Sequence, residues 1–128
     1  MEILRKRTMI ILSGIILILC ISVSIIEANS KVFRKIIDER IYDNRNHYLT
    51  CDKLPSLTDT ERVYQEHIDV IRQILEINPG YIGAEIQSPC SGKGNILFWY
   101  GSHKDRLVIE KVIGSETFYG IPYNLQNR

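Results

Sequence analysis

Residues 81–100 read YIGAEIQSPCSGKGNILFWY, and the parsing of that stretch decides the fold. Ile82, Ala84 and Ile86 alternate with Gly83, Glu85 and Gln87, the period of two that marks a strand with one buried face. NILFWY at 95–100 has the β-branched and aromatic composition of a second strand. SPCSGKG at 88–94 is turn chemistry, so the stretch predicts a hairpin with a wide loop. On the second strand Ile96, Phe98 and Tyr100 share one side, and Leu97 and Trp99 share the other.

On both sides of the hairpin the period changes to that of a helix. Upstream, Thr58-Asp59-Thr60-Glu61 has capping-box spacing. The helix it opens places Val63, Tyr64, His67, Ile68, Ile71, Ile74 and Leu75 on one face and stops at Asn78-Pro79-Gly80. Downstream, Ser102 and Asp105 cap a second helix carrying Leu107, Val108, Val112 and Ile113, which Gly114 ends. TFYGIPYNL (117–125) reads as a last strand, and Pro122, lacking an N–H, calls for a sheet edge. HYLTCD (47–52) has the composition of a short first strand, broken by Leu54-Pro55. The order β-α-β-β-α-β predicts a small α+β domain over 47–128 with the split βαβ, ferredoxin-like topology.

The segment before that domain has a different character. MIILSGIILILCISVSII (9–26) is eighteen residues without a charge or a proline, preceded by Arg5, Lys6 and Arg7. A basic start before an apolar run marks a signal peptide or an anchor helix, and a span of the hydrocarbon core needs about 20 residues. Residues 1–28 are therefore expected to act as a signal-anchor or signal peptide with a transmembrane helix at 9–26. The positive-inside rule keeps the three basic residues cytoplasmic and places the C-terminal domain outside. Leu17, Ile18 and Leu19 before Cys20 do not suit a lipobox, so Cys20 reads as one more apolar residue. Residues 29–46 form a juxtamembrane stalk and linker. KVFRKIIDERIY (31–42) spaces Val32, Phe33, Ile36, Ile37 and Ile41 as the stripe of an amphipathic helix continuing the anchor, and DNRN (43–46) reads as a polar linker.

The cysteines carry the clearest chemical signal. In the split βαβ arrangement the first two strands are parallel, so Cys51 at the end of one and Cys90 beyond the other reach the same end of the sheet. Outside the cytoplasm two such thiols are expected to form a disulfide. The alternative is a soft-metal or thiol-redox pair, although both cysteines do not lie in one C-x-x-C loop.

No catalytic constellation accompanies them. His67 falls on an apolar helix face, and His103 and His47 are expected away from the thiols. Asp105, Glu110 and Glu116 lack the spacing of an acid–base pair. CSGKG (90–94) departs from a phosphate-binding loop at Gln87 and Gly94, which stand where a Gly and a Ser or Thr belong. Residues 31–128 hold thirteen Lys/Arg and thirteen Asp/Glu, so no basic footprint for nucleic acid exists. The remaining expectation is an interaction surface of Trp99, Leu97 and Tyr81 on the open sheet face, in a non-catalytic, cofactor-free module that meets a protein partner or a second copy.

Overall fold

The computed structural model describes Met1 and residues 5–128 in full, and residues 2–4 by their backbone alone. It divides into two compact units, Met1–Ile36 and Ile37–Arg128.

The first unit is built on helix α1 (Glu2–Ser30). Its apolar side chains are exposed all round, from 46% at Val23 to 70% at Ile10. The stretch Arg5–Ser30, 26 residues, is long and apolar enough to cross a membrane. At the helical rise it spans about 39 Å, against about 30 Å of hydrocarbon. The hydroxyls of Ser13, Ser22 and Ser24 donate to carbonyls one turn back, leaving no side-chain donor of theirs seeking water. At Lys31 the backbone enters the left-handed region (φ 55°) and α2 (Val32–Arg40) begins as a separate helix, where the sequence suggested a continuous stalk. The Glu27 carboxylate accepts from the backbone N–H groups of Phe33 (2.7 Å) and Arg34 (3.2 Å), satisfying donors that the new helix start would leave free.

In the second unit, helices α3 (Leu57–Glu66), α4 (Ile68–Leu75) and α5 (His103–Ile113) supply Val63, Ile71, Ile74 and Ile109 to one face of a sheet. The strands are β1 (Ile82–Cys90), β2 (Lys93–Tyr100), β3 (Thr117–Phe118) and β4 (Ile121–Asn127), in the order β1-β2-β4-β3. Ile82, Ile96, Phe98, Tyr100, Tyr123 and Leu125 meet the helices in one core. Gly94 lets α3 come close, since a Cβ there would lie 2.5 Å from Thr60 Oγ1.

The hairpin forms as expected, with Ile82 opposite Tyr100 and Ile86 opposite Ile96. Its loop is tighter than the composition suggested, because both strands run on to Cys90 and Lys93 and turn through Gly92 at φ 68°. The Ser102 cap and the Gly114 stop of α5 are also as read. The upstream helix differs in two ways. Its cap is Ser56, which accepts from the Asp59 N–H at 3.0 Å, while Thr60 is buried. It also breaks at His67 into α3 and α4, and the imidazole stacks on Tyr119 with ring centroids 3.5 Å apart.

The ferredoxin-like expectation is corrected by the sheet order. HYLTCD (47–52) does not join the sheet as a strand: Cys51–Lys53 is a single 3-10 turn. With no first strand to occupy the place beside β2, the last strand takes it and pairs parallel with β2, Phe98 opposite Leu125. The segment β2-α5-β4 is thus an unsplit βαβ unit. β4 is therefore an inner strand, and Pro122 lies at its beginning, opposite Thr117 of β3. Tyr119 and Gly120, both at positive φ (50° and 89°), make the β3–β4 turn of the kind that suits a two-residue hairpin. What remains is a mixed α+β unit with a four-stranded mixed sheet.

Residues 43–48 are the largest departure from the sequence reading. Arg45 exchanges both backbone hydrogen bonds with Leu125 (2.8 and 2.7 Å), extending the sheet along β4 beyond short β3. The polar stretch read as a linker is a strap bound to the domain.

Candidate functional site

The face of the sheet away from the helices carries Asn95, Leu97 and Trp99 from β2, with Gly83 and Glu85 opposite Trp99 and Leu97 on β1. Cross-strand placement gives these side chains different surroundings. Trp99 lies over Gly83, where an added Cβ would stand 2.1 Å from the indole. A glycine there leaves a shelf for the ring. The Arg128 guanidinium lies 5.8 Å from the indole centroid and 3.5 Å from the Glu85 carboxylate. Tyr81, just before β1, is 65% exposed and packs by its Cβ and ring edge near Gly101. Trp99 itself is half-buried. Leu97 departs from expectation: it is 3% exposed and offers no docking surface. The surface formed on this face is therefore Tyr81, Trp99 and Arg128, with the arginine a residue that sequence periodicity did not single out.

The strap closes the other end of that face. His47 donates its backbone N–H to the Asn124 side chain (3.0 Å), and its Nε2 lies 3.0 Å from the buried Asn95 amide. His47 Nδ1 accepts from the Leu49 N–H (3.0 Å), so the neutral ring carries its proton on Nε2. The structure sets Asn95 Nδ2 against that proton and leaves its Oδ1 without a partner among the described residues; exchanging the two amide atoms, whose assignment follows the hydrogen-bond network, lets the oxygen accept and completes the pair. Burial holds the His47 pKa below its ordinary value. The Tyr48 phenol donates to Asp38, and burial followed by that carboxylate pushes it up to about 12.

On the helix side the strap brings a second set of charges together. Asp43 accepts from Arg106 (2.9 Å) and contacts the exposed His103 (2.7 Å). Glu110 accepts from both Arg106 (3.2 Å) and Arg45 (3.3 Å), and Arg45 also pairs with Glu116. Burial would lower both arginine pKa values, but the surrounding acceptors outweigh it and both are raised. Tyr100 donates to the Asp43 carbonyl, and burial together with the Asp43 charge raises its phenol. The acids and bases offset one another in place, which describes a clasp rather than a site poised to move a proton. Glu110 thus spends its charge on two arginines, and Asp105 is buried as a cap that also accepts from Asn78 (3.1 Å).

Cys51 and Cys90 form a disulfide across 39 residues, with Cα atoms 6.0 Å apart. The pair is the expected one, reached by a different route. The turn at Cys51–Lys53 leads into residues 54–57, which dock on the hairpin: Leu57 N–H donates to Gly92, Gly94 N–H to Pro55, and Lys93 Nζ to the carbonyl of buried Leu54. Among the described residues no group of three or more His, Cys, Asp or Glu side chains is placed to hold a metal ion. Cys20 is a free, exposed thiol on α1.

No family model, curated protein or solved structure matches the chain.

Proposed function

We propose that this chain is a membrane-tethered binding module, with α1 as its anchor and the disulfide-stapled domain facing the extracytoplasmic side. The observation that carries the reading is Trp99, half-buried on the sheet face opposite α3, α4 and α5, flanked by exposed Tyr81 and by Arg128. Aromatic residues and arginine dominate the energetics of protein interfaces. A ring held against Gly83 loses little rotamer freedom when a partner covers it. Arg5, Lys6 and Arg7 ahead of the apolar run support this orientation, and so does the disulfide, a bond favoured by oxidising compartments. The partner of this reading is another protein of the same membrane or envelope.

A photo-crosslinking residue at position 81 in the native membrane tests it. A discrete adduct that disappears in Trp99→Ala, with the thermal unfolding of the domain unchanged, supports the module. An adduct pattern indifferent to Trp99→Ala removes that surface from consideration.

The exposure of Cys51 favours a second reading, a thiol-redox protein. Accessible disulfides tend to have higher potentials than buried structural ones. Equilibration of the full chain with glutathione buffers discriminates: a redox role requires reversible reduction within the physiological range, and a staple requires a potential below about −300 mV.

A further inference from the structure

We infer that α2 is an interfacial helix whose apolar stripe docks on an anionic phospholipid bilayer; the inference rests on the reading of α1 as a membrane helix. Phe33, Ile36, Ile37 and Ile41 are exposed by 51, 52, 43 and 70%, an apolar surface that no described residue buries. At the helical period these residues fall on one side, with Lys35 near the centre of the other and Asp38 on the flank of that polar side.

Asp38 is engaged: its carboxylate accepts from Asn46 (3.0 Å) and from the Tyr48 phenol. The domain is thus fastened to the polar side of α2, and the apolar side is left to another occupant.

Three observations favour a lipid surface. The helix follows directly on the apolar α1, separated from it by one left-handed residue, Lys31, and capped by Glu27. That break gives α2 a direction of its own at the place where α1 leaves its apolar run. Lys31, Arg34 and Lys35 also put three cations in its first turns before any acid, matching anionic headgroups. Finally, Arg40 stands within the apolar stripe at the far end of the helix, where a long stem lies along acyl chains while its charge reaches the headgroups. Such a helix rests at the headgroup boundary with its apolar side in the acyl region.

The test uses the full chain in vesicles of phosphatidylcholine with a minority of phosphatidylglycerol. Nitroxide labels are attached to single cysteines in a Cys20→Ala background, at Phe33→Cys, Ile36→Cys, Ile37→Cys and Lys35→Cys, with Ile16→Cys reporting on α1. The expected result is greater collision with oxygen than with a water-soluble nickel complex at 33, 36 and 37, and the reverse at 35. Equal nickel access at all four α2 positions overturns the proposal, as does shielding of 33, 36 and 37 from both quenchers, which would mean cover by protein. Nickel access at position 16 would instead overturn the reading of α1, and that failure is separately visible.

Discussion

The hairpin at 82–100 and the strap at 43–48 are both integral to the domain, yet they are held by different physics. In the hairpin, alternate side chains enter the core: Ile96, Phe98 and Tyr100 are fully buried. The stabilisation there is apolar area removed from water, at about 25 cal/mol per Å². The strap buries no apolar side chain. It is retained by two backbone hydrogen bonds to Leu125, by Asp43 and Arg45 within the α5 charge cluster, and by His47 on Asn95. It even holds Tyr48 at φ 53°, a conformation that costs a bulky residue of order 1–3 kcal/mol. A periodic apolar pattern therefore identifies the first region, whereas the second is specified by partners far away in the chain.

The comparison breaks if the two regions respond alike to the same perturbation. The largest effect is expected in the hairpin: Phe98→Ala should destabilise the domain by about 3–5 kcal/mol in denaturant unfolding, at any salt concentration. Next comes the staple. Cys51→Ser with Cys90→Ser should cost about 2–4 kcal/mol, chiefly by releasing the unfolded chain. In the clasp, Arg106→Ala leaves Asp43 and Glu110 without their shared, largely buried partner, at a cost of about 2–3 kcal/mol. Unlike Phe98→Ala, this loss should shrink when Asp43→Asn is added, and the double-mutant cycle measures that coupling. A similar loss without coupling would place the strap outside the cluster.

A smaller effect distinguishes the two through pH. Because the folded-state pKa of His47 lies below its unfolded value of 6.5, the unfolded chain binds the proton first as pH falls. The contribution of neutral His47 is complete above 6.5 and is lost as pH drops from there through the folded pKa. Thermal unfolding between pH 7.5 and 5 should show a falling midpoint, with a shallower slope in His47→Gln. An unchanged slope would deny His47 its buried neutral role.

These regions also explain how much could be read in advance. The hairpin, the α5 cap at Ser102 and the stop at Gly114 were legible because each is a local rule. The apolar run of α1 is legible from composition, whereas the cysteine pairing was expected through a first strand that does not form. HYLTCD has strand composition, but Cys51 is drawn to Cys90 and Leu54 is buried against the hairpin, so tertiary contacts override local preference. That loss rearranges the sheet, since β4 takes the place beside β2. Asp43 and Arg45 carry no spacing signal, because the side chains they pair with lie sixty or more residues away; within the cluster, Arg106 and Glu110 stand at the helical i,i+4 spacing. Of the expected surface, Tyr81 and Trp99 remain accessible; Leu97 shares a face with Trp99 by periodicity but is covered.

The most direct test of the account is the intact mass of the native protein from carbonate-washed membranes, alkylated without reductant. The account predicts a membrane-retained chain with Cys51 and Cys90 unmodified until reduction, leaving Cys20 as the single thiol open to alkylation in detergent. A chain released by carbonate, or one alkylated at both Cys51 and Cys90, would contradict the tethered and stapled module.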